Sequence, residues 1–203
     1  MTFSEDWKQW RARVDLDEYE SRWDRLEAEG DAVHGEADLI SSLGPRSVLD
    51  AGCGMGRVGI ELHRRGIDVA GVDLDLDLLE RARRRSPAIP WHHADLASLR
   101  LGRTFDVVAL AGNVIPFVAP THRHSAIQAC ADHLGPDGIL VSGFSLRVGW
   151  PGFDMYNSWC TDAGLSADRV WSSWAKDPFV EGSDYVVTTH RAPPELIPVT
   201  EHP

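Results

Sequence analysis

Short apolar runs alternate along this chain with stretches in which apolar side chains recur every three or four residues. Val48-Leu49, Asp68 to Val72, Phe105 to Leu110 and Ile139 to Phe144 are the apolar runs. Nearly continuous hydrophobic character over so few residues marks strands of a parallel sheet covered by helices on both faces. Between them, Arg57 to Arg65 is followed by Gly66, Leu76 to Arg85 turns Leu78, Leu79 and Ala82 inward, and Thr121 to Leu134 is closed by Gly135. Each reads as a helix with a glycine or basic residues at its end. Ile89 to Trp91 adds a short third strand. Beyond the fifth strand the pattern predicts a helix from Met155 to Ala163 ending at Gly164, then strands over Arg169 to Trp174 and Tyr185 to His190. The interval between those last two is too short for a crossover helix and suits a hairpin, which sets one antiparallel strand at the end of an otherwise parallel sheet.

The first residues follow another rhythm. Trp7, Trp10 and Val14, then Tyr19, Trp23 and Leu26, recur at three- and four-residue intervals with acids and arginines between them. They predict amphipathic helices without a sheet partner. A turn at Ser41-Ser42-Leu43-Gly44-Pro45-Arg46 then separates a helical cap, residues 1–46, from an α/β core, residues 47–203. With 203 residues and 43% hydrophobic content, both belong to one domain overall.

Charge narrows the partners. The formal net charge is -11, and residues 1–46 hold twelve acids against six Lys or Arg. No basic run exceeds Arg83-Arg84-Arg85, which reads as the solvated end of its helix, so a nucleic-acid partner held by broad phosphate attraction is not expected. A basic substrate would be drawn to the acidic end. The absence of a membrane-length apolar run and of a basic leader before an apolar segment predicts a soluble cytoplasmic protein. Cys53, Cys130 and Cys160 are widely spaced, and no metal site is expected from them.

The chemistry concentrates at the first strand. Val48-Leu49-Asp50-Ala51-Gly52-Cys53-Gly54-Met55-Gly56-Arg57 runs from strand through a three-glycine turn into a helix. Glycines there supply positive φ and remove Cβ atoms that would hold a ligand off the backbone, while the helix amides favour an anionic group. The second strand delivers Asp73 to its carboxyl end, where a carboxylate can accept from both hydroxyls of a ribose. Two nucleoside cofactors fit. A nicotinamide fingerprint can be laid on Gly54, Gly56 and Gly59 with Asp73 about 20 residues further on, but Gly52 and Cys53 then lie already beyond the strand.

The string Asp50-Ala51-Gly52-Cys53-Gly54-Met55-Gly56 instead resembles motif I of the class I S-adenosylmethionine-dependent methyltransferases. Gly71-Val72-Asp73-Leu74 resembles their second motif, Asp95-Leu96 their third, and Phe105 to Asn113 their fourth, in order between Ser47 and about Phe117. The resemblance implies a Rossmann-like, doubly wound seven-stranded sheet with an antiparallel C-terminal hairpin strand. It implies binding of S-adenosylmethionine, with S-adenosylhomocysteine as product, by Asp50, Gly52, Cys53, Gly54, Gly56, Asp73, Leu74, Asp95, Leu96, Ala111 and Asn113. Asp73 would hold the ribose, Leu74 pack on the adenine, Asp95 accept from its amino group, the Gly52 to Gly56 amides meet the methionine carboxylate and the Ala111 carbonyl its amino group. Asp50 would either act electrostatically on the cofactor or order the turn. Segments ahead of motif I in this family often wall the substrate pocket, which makes Arg22, Trp23, His34 and Glu36 candidates, with Trp23 also a candidate cofactor contact.

The implied reaction is in-line transfer of the methyl group to a small-molecule acceptor. Val114, Ile115, Pro116, Phe117 and Val118, with Trp150, Pro151 and Phe153, suggest an apolar pocket wall, and no Asn-Pro-Pro-Tyr-like sequence follows the fourth strand. The general base stays open among His34, His122, His124, Asp154 and Tyr156. A non-catalytic S-adenosylmethionine-binding protein and an NAD(P)-dependent oxidoreductase are the alternatives. Asp73→Ala is expected to weaken cofactor binding and to leave the unliganded protein's stability nearly unchanged.

Overall fold

The computed structural model describes residues 3–30 and 33–195, apart from the side chains of Asp24 and Glu27. Three helices open the chain, α1 (Glu5–Arg11), α2 (Leu16–Ala28) and α3 (Gly35–Ser42). Then follow β1 (Ser47–Ala51), α4 (Arg57–Arg64), β2 (Asp68–Asp73), α5 (Leu76–Arg85), β3 (Trp91–His93) and β4 (Phe105–Leu110). The second half holds α6 (Val114–Phe117), α7 (Arg123–Ala131), β5 (Leu134–Ser145), α8 (Phe153–Asp162), β6 (Ser166–Trp171) and β7 (Tyr185–Arg191). The seven strands form one sheet in the order β3-β2-β1-β4-β5-β7-β6. β1 to β5 pair in parallel, and β7 runs antiparallel to both β5 and β6, as the short interval between the last two strands requires.

Strand alternation divides the core. Leu49, Ala51, Val108, Leu110, Leu140 and Phe144 point to one face and meet Ile127, Cys130, Tyr156 and Cys160 of α7 and α8. Val48, Val107, Ala109, Ile139 and Val141 point to the other and meet Leu39, Ile40, Val58, Leu62 and Leu79 of α3, α4 and α5. α3 therefore belongs to the sheet's helical layer, although it precedes the 41–46 turn. α1 and α2 form a separate cluster in which Trp7, Leu16, Met55 and Leu78 are buried. Ion pairs fasten them to α5: Arg11 to Asp75 and Asp77, Arg81 to Asp17 and Glu20, and Arg85 to Glu20. The arginines of α5 are thus not simply a solvated face, since Arg81 and Arg85 clamp the N-terminal helices and Arg83 donates to the Trp91 carbonyl.

Three sequence boundaries move for physical reasons. β3 begins at Trp91 rather than Ile89, because Pro90 has no N–H and serves the sheet only as acceptor from Gly71. α7 starts after a 3-10 turn at Pro120–His122 and ends at Ala131, and Leu134 already pairs with Phe105 in the sheet. β6 spans Ser166–Trp171 instead of Arg169 to Trp174. Beyond it, Ser172 N–H closes on the Asp177 carbonyl, and Trp174 leaves the strand to pack where Gly143 has no Cβ.

Candidate active site

The carboxyl ends of β1, β2 and β4 open onto one cavity of about 440 Å³, roofed by α1 and α2. That volume falls within the usual range for small-molecule sites. Asp50, Gly52, Cys53, Gly54, Met55, Arg57 and Val58 line it from the first turn, Asp73, Leu74 and Leu78 from the second, and Ala94, Asp95 and Leu96 from the third. Ala111, Gly112, Asn113, Val114, Phe117, Val118, Ala119 and His122 contribute from the segment after β4.

The three glycines of the first turn all have positive φ, yet they serve different ends. A Cβ on Gly52 would lie 2.5 Å from Val114, and one on Gly56 would lie 2.6 Å from Trp91. Both positions make room for protein side chains, and Gly56 does not line the cavity. A Cβ on Gly54 would find nothing closer than Leu78 at 4.0 Å, so Gly54 is where the turn lies open to a ligand.

The turn also uses most of its own amides. Gly52 and Cys53 donate to the Val72 carbonyl, Gly54 to Asp73 Oδ2 at 2.8 Å, and Gly56 to the Cys53 carbonyl. Met55, together with Arg57 and Val58 in the first turn of α4, keeps its N–H groups unbonded among the described residues. Such orphan donors are what a helix N-terminus offers an anion.

Asp73 accepts twice from the backbone, through Oδ2 from Gly54 and through Oδ1 from Asp75 at 2.8 Å. A carboxylate carries about four acceptor positions, so two remain for hydroxyls of a ligand. Burial pushes its carboxyl above the usual carboxylate range. Asp95 lines the cavity and caps the next turn by accepting from Ala97 through Oδ1, which leaves Oδ2 without a hydrogen bond among the described residues. Asn113 has φ 66, and its side-chain oxygen accepts from Ser145 at 2.7 Å, which ties the ends of β4 and β5 together.

Asp50 is buried and accepts through Oδ2 from Gly59 at 2.9 Å. Burial raises its carboxyl from 3.8 to about 7. This bond clasps the end of β1 to α4 across the glycine turn. Cys53, half-buried beside Asp50 and Asp73, has its thiol raised well above the ordinary value, first by desolvation and then by those acids. It is a poor nucleophile.

Behind the turn, Arg57 pairs with Glu36, donates to the Val33 carbonyl at 2.6 Å and sits 4.3 Å from the ring centroid of Trp23. Glu36 is thereby engaged outside the cavity, Arg22 is exposed, and Trp23 lines the cavity itself. The roof is an aromatic series: Trp23 to Tyr19 at 6.2 Å, Tyr19 to Trp10 at 5.9 Å, Trp10 to Trp7 at 4.9 Å, Trp10 to Phe117 at 6.0 Å and Phe117 to Trp150 at 5.6 Å.

The candidate bases separate clearly. His122 lines the cavity. His34 lies in a small side pocket, 3.9 Å from Glu61, because the chain turns there into α3. His124, two residues beyond His122, meets Asp162 at the surface, and Asp154 is exposed in the first turn of α8. Tyr156 is fully buried under the sheet against Phe144 and His190, with burial raising its hydroxyl well above the usual range. Of the expected apolar wall, Val114, Phe117, Val118 and Trp150 reach the cavity, whereas Ile115 and Pro116 are buried behind it and Phe153 packs on Phe179.

Several lining residues escaped the sequence reading. Trp7, Trp10 and Tyr19 were legible only as a helix face, and Glu20 and Arg85 only as surface charges. Arg147 lies two residues beyond the end of β5, and the rule that ligands meet the carboxyl ends of strands points to it.

The methyltransferase-domain family profile matches residues 48–138. A solved TehB-like SAM-dependent methyltransferase from Corynebacterium glutamicum is 38% identical, aligned over 86% of this chain and 96% of that one, with a TM-score of 0.79. The chain belongs to the SAM-dependent methyltransferase family. Among curated relatives, a dTDP-3-amino-3,4,6-trideoxy-alpha-D-glucopyranose N,N-dimethyltransferase from Streptomyces venezuelae is 34% identical over 108 residues, 52% of this chain and 46% of its own length. A magnesium-protoporphyrin O-methyltransferase from Rhodobacter capsulatus is 40% identical over 78 residues, 36% of this chain and 34% of its own. The chain thus spans about half the length, or less, of these two relatives. Among the described residues, no helix of this family member is long and apolar enough to cross a membrane.

Proposed function

We propose that this methyltransferase binds S-adenosylmethionine in the 440 Å³ cavity and transfers its methyl group to a small molecule. The observation that carries the reading is the convergence of Gly54, Asp73 and Asp95, from three successive strand ends, on one cavity. Asp73 holds the ribose hydroxyls with the two acceptor positions its backbone bonds leave over, Leu74 packs on the adenine, and Asp95 Oδ2 accepts from the adenine amino group beside Leu96. The methionine carboxylate meets the N–H groups of Met55, Arg57 and Val58, not the internally bonded amides of Gly52, Cys53, Gly54 and Gly56, and the Ala111 carbonyl takes its amino group.

The bound cofactor supplies an electrophilic methyl group on a cationic sulfur. The chain's part is alignment and exclusion of water: the aromatic roof closes over the reacting centre, and holding two reactants in line contributes several kcal/mol of barrier reduction. His122 is the cavity's candidate acceptor for a proton lost by the acceptor molecule. The size of the site, about 440 Å³, and a formal charge of -11 support a small molecule over a nucleic acid. Three free cysteines suit a reducing cytoplasm.

The nicotinamide reading has less support. A dinucleotide fold orders its strands 3-2-1-4-5-6, whereas this sheet places β7 antiparallel between β5 and β6. Calorimetric titration with S-adenosylmethionine, S-adenosylhomocysteine, NAD and NADP tests the cofactor. Binding of the first pair alone is expected, and binding of the nicotinamides alone overturns the proposal. Incubation with labelled S-adenosylmethionine and acceptor pools separates a transferase from a binding protein, which releases no S-adenosylhomocysteine.

A further inference from the structure

The cavity's walls differ in charge. Its described carboxylates, Asp50, Asp73, Asp95 and Glu20, belong to the strand ends β1 and β2, the turn after β3, and α2. Each is engaged, Asp50 by Gly59, Asp73 by Gly54 and Asp75, Asp95 by Ala97, and Glu20 by Arg81. The acids of the N-terminal helices are likewise drawn to the arginines of α5, so the segment's net charge of -6 does not make this cavity a cation trap. The end formed by Trp10, Phe117, Trp150 and Arg147, joined by ring contacts and by the Arg147–Trp150 stack, holds no carboxylate.

That end continues outward. Trp10, Phe117 and Arg147 also line a groove of about 360 Å³, shared with Asp6, Gln9, Arg13 and Val14. Asp6, the groove's described carboxylate, lies in the field of Arg123, a buried guanidinium that donates to the Pro116 and Val118 carbonyls. Neither Arg147 nor Arg13 has a carboxylate within ion-pair distance among the described residues. Arg147 instead stacks 3.4 Å from the Trp150 ring centroid, which fixes its guanidinium at the junction of cavity and groove. An uncommitted, pre-oriented guanidinium beside aromatic faces is a recognition element for a planar molecule ending in an oxyanion.

We propose that the methyl acceptor is a small aromatic acid, its ring against the wall formed by Trp10, Phe117 and Trp150 and its carboxylate on Arg147 where the cavity meets the groove, with Arg13 reinforcing the field. This rests on the methyl-transfer reading and names the substrate class of that site. The methylated heteroatom, a hydroxyl or amino group at the far end of the ring, faces the cofactor. Its lone pair forms the bond to the methyl carbon, the carbon–sulfur bond breaks with its pair remaining on sulfur, and the heteroatom's proton leaves to His122 or to water.

The test is calorimetry on the protein saturated with S-adenosylhomocysteine, comparing para-hydroxybenzoate with the uncharged para-hydroxybenzamide. The benzoate is expected to bind about tenfold or more tightly than the amide, as a charge-assisted bidentate bond requires. Arg147→Gln should bring the two within about twofold of each other, Arg147→Lys should retain part of the preference, and S-adenosylhomocysteine affinity should not change in either. Equal affinities, failure of the benzoate to bind, or a preference that survives in Arg147→Gln overturns the proposal. The S-adenosylhomocysteine titration that precedes it keeps the two failures apart. No binding there removes the methyl-transfer reading and this inference with it, whereas cofactor binding without a carboxylate preference removes the acceptor class alone.

Discussion

Asp73→Ala removes a carboxylate that is bonded twice within the protein and, in the proposed complex, twice more to a ribose. Oδ2 accepts from Gly54 and Oδ1 from Asp75, both at 2.8 Å, so the same side chain fixes the open position of the glycine turn and the entry to α5. Hydrogen bonds to a charged group are worth about 1.5–3 kcal/mol each. Asp73 is half-buried, and the N–H groups it releases regain water, so the unliganded protein should lose about 1–3 kcal/mol in all. This differs from the stability-neutral outcome that the sequence suggests, because both backbone bonds are invisible there. S-adenosylmethionine affinity should fall by roughly tenfold to a hundredfold, the same energy range applied to the ribose hydroxyls. Asp73→Asn retains one carbonyl acceptor and should lie between wild type and Ala in stability while still binding poorly. Urea denaturation without ligand reads the first quantity, and calorimetric titration the second. An Ala variant as stable as wild type refutes the backbone role, and one that binds the cofactor undiminished refutes the ribose role.

Asp50, whose carboxyl is raised from 3.8 to about 7, makes the folded state hold a proton that the unfolded chain releases. Its contribution to stability is present below pH 4 and is lost as pH climbs toward 7, an effect of about 4 kcal/mol at roughly 1.4 kcal/mol per pH unit. Asp50→Asn keeps an acceptor for Gly59 and should gain stability over wild type by that order across this interval; parallel denaturation curves for the two proteins from pH 4 to 8 contradict the assignment. Gly56→Ala, with φ +80 and a Cβ 2.6 Å from Trp91, should cost about 2–5 kcal/mol in thermal or urea unfolding. Gly54→Ala, at φ +55 with open space, should cost only about 1–2 kcal/mol yet lower S-adenosylmethionine affinity at least about tenfold; equal stability losses in the two variants refute the division of labour. Glu36→Gln strands the Arg57 guanidinium against Val33 and Trp23 and should destabilise the protein by about 2–4 kcal/mol. A denaturation midpoint unchanged from wild type shows that the pair contributes nothing.

What was legible in the sequence follows from which forces act locally. Strand and helix periodicity, the three-glycine turn and the acids at Asp73 and Asp95 are short-range patterns, and they brought the sheet and the candidate cofactor cradle into view. The hairpin of β6 and β7 followed from interval length alone. Long-range packing was hidden. Nothing local distinguishes Gly54, open to the cavity, from Gly56, filled by Trp91 across a strand. Arg81 and Arg85 looked solvated because their partners, Asp17 and Glu20, lie more than sixty positions away. Tyr156 and His34 have suitable chemistry for a base, but helix phase and the turn into α3 carry them away from the cavity. The same phase brings Trp7, Trp10 and Tyr19 over it.

A crystal structure of the protein with S-adenosylhomocysteine tests the central claim most directly. The ribose hydroxyls are expected on Asp73, the adenine amino group on Asp95, the carboxylate at the Met55, Arg57 and Val58 amides, and the sulfur facing the wall formed by Trp10, Phe117 and Trp150. Density for the ligand outside this cavity, or a ribose with no bond to Asp73, contradicts it.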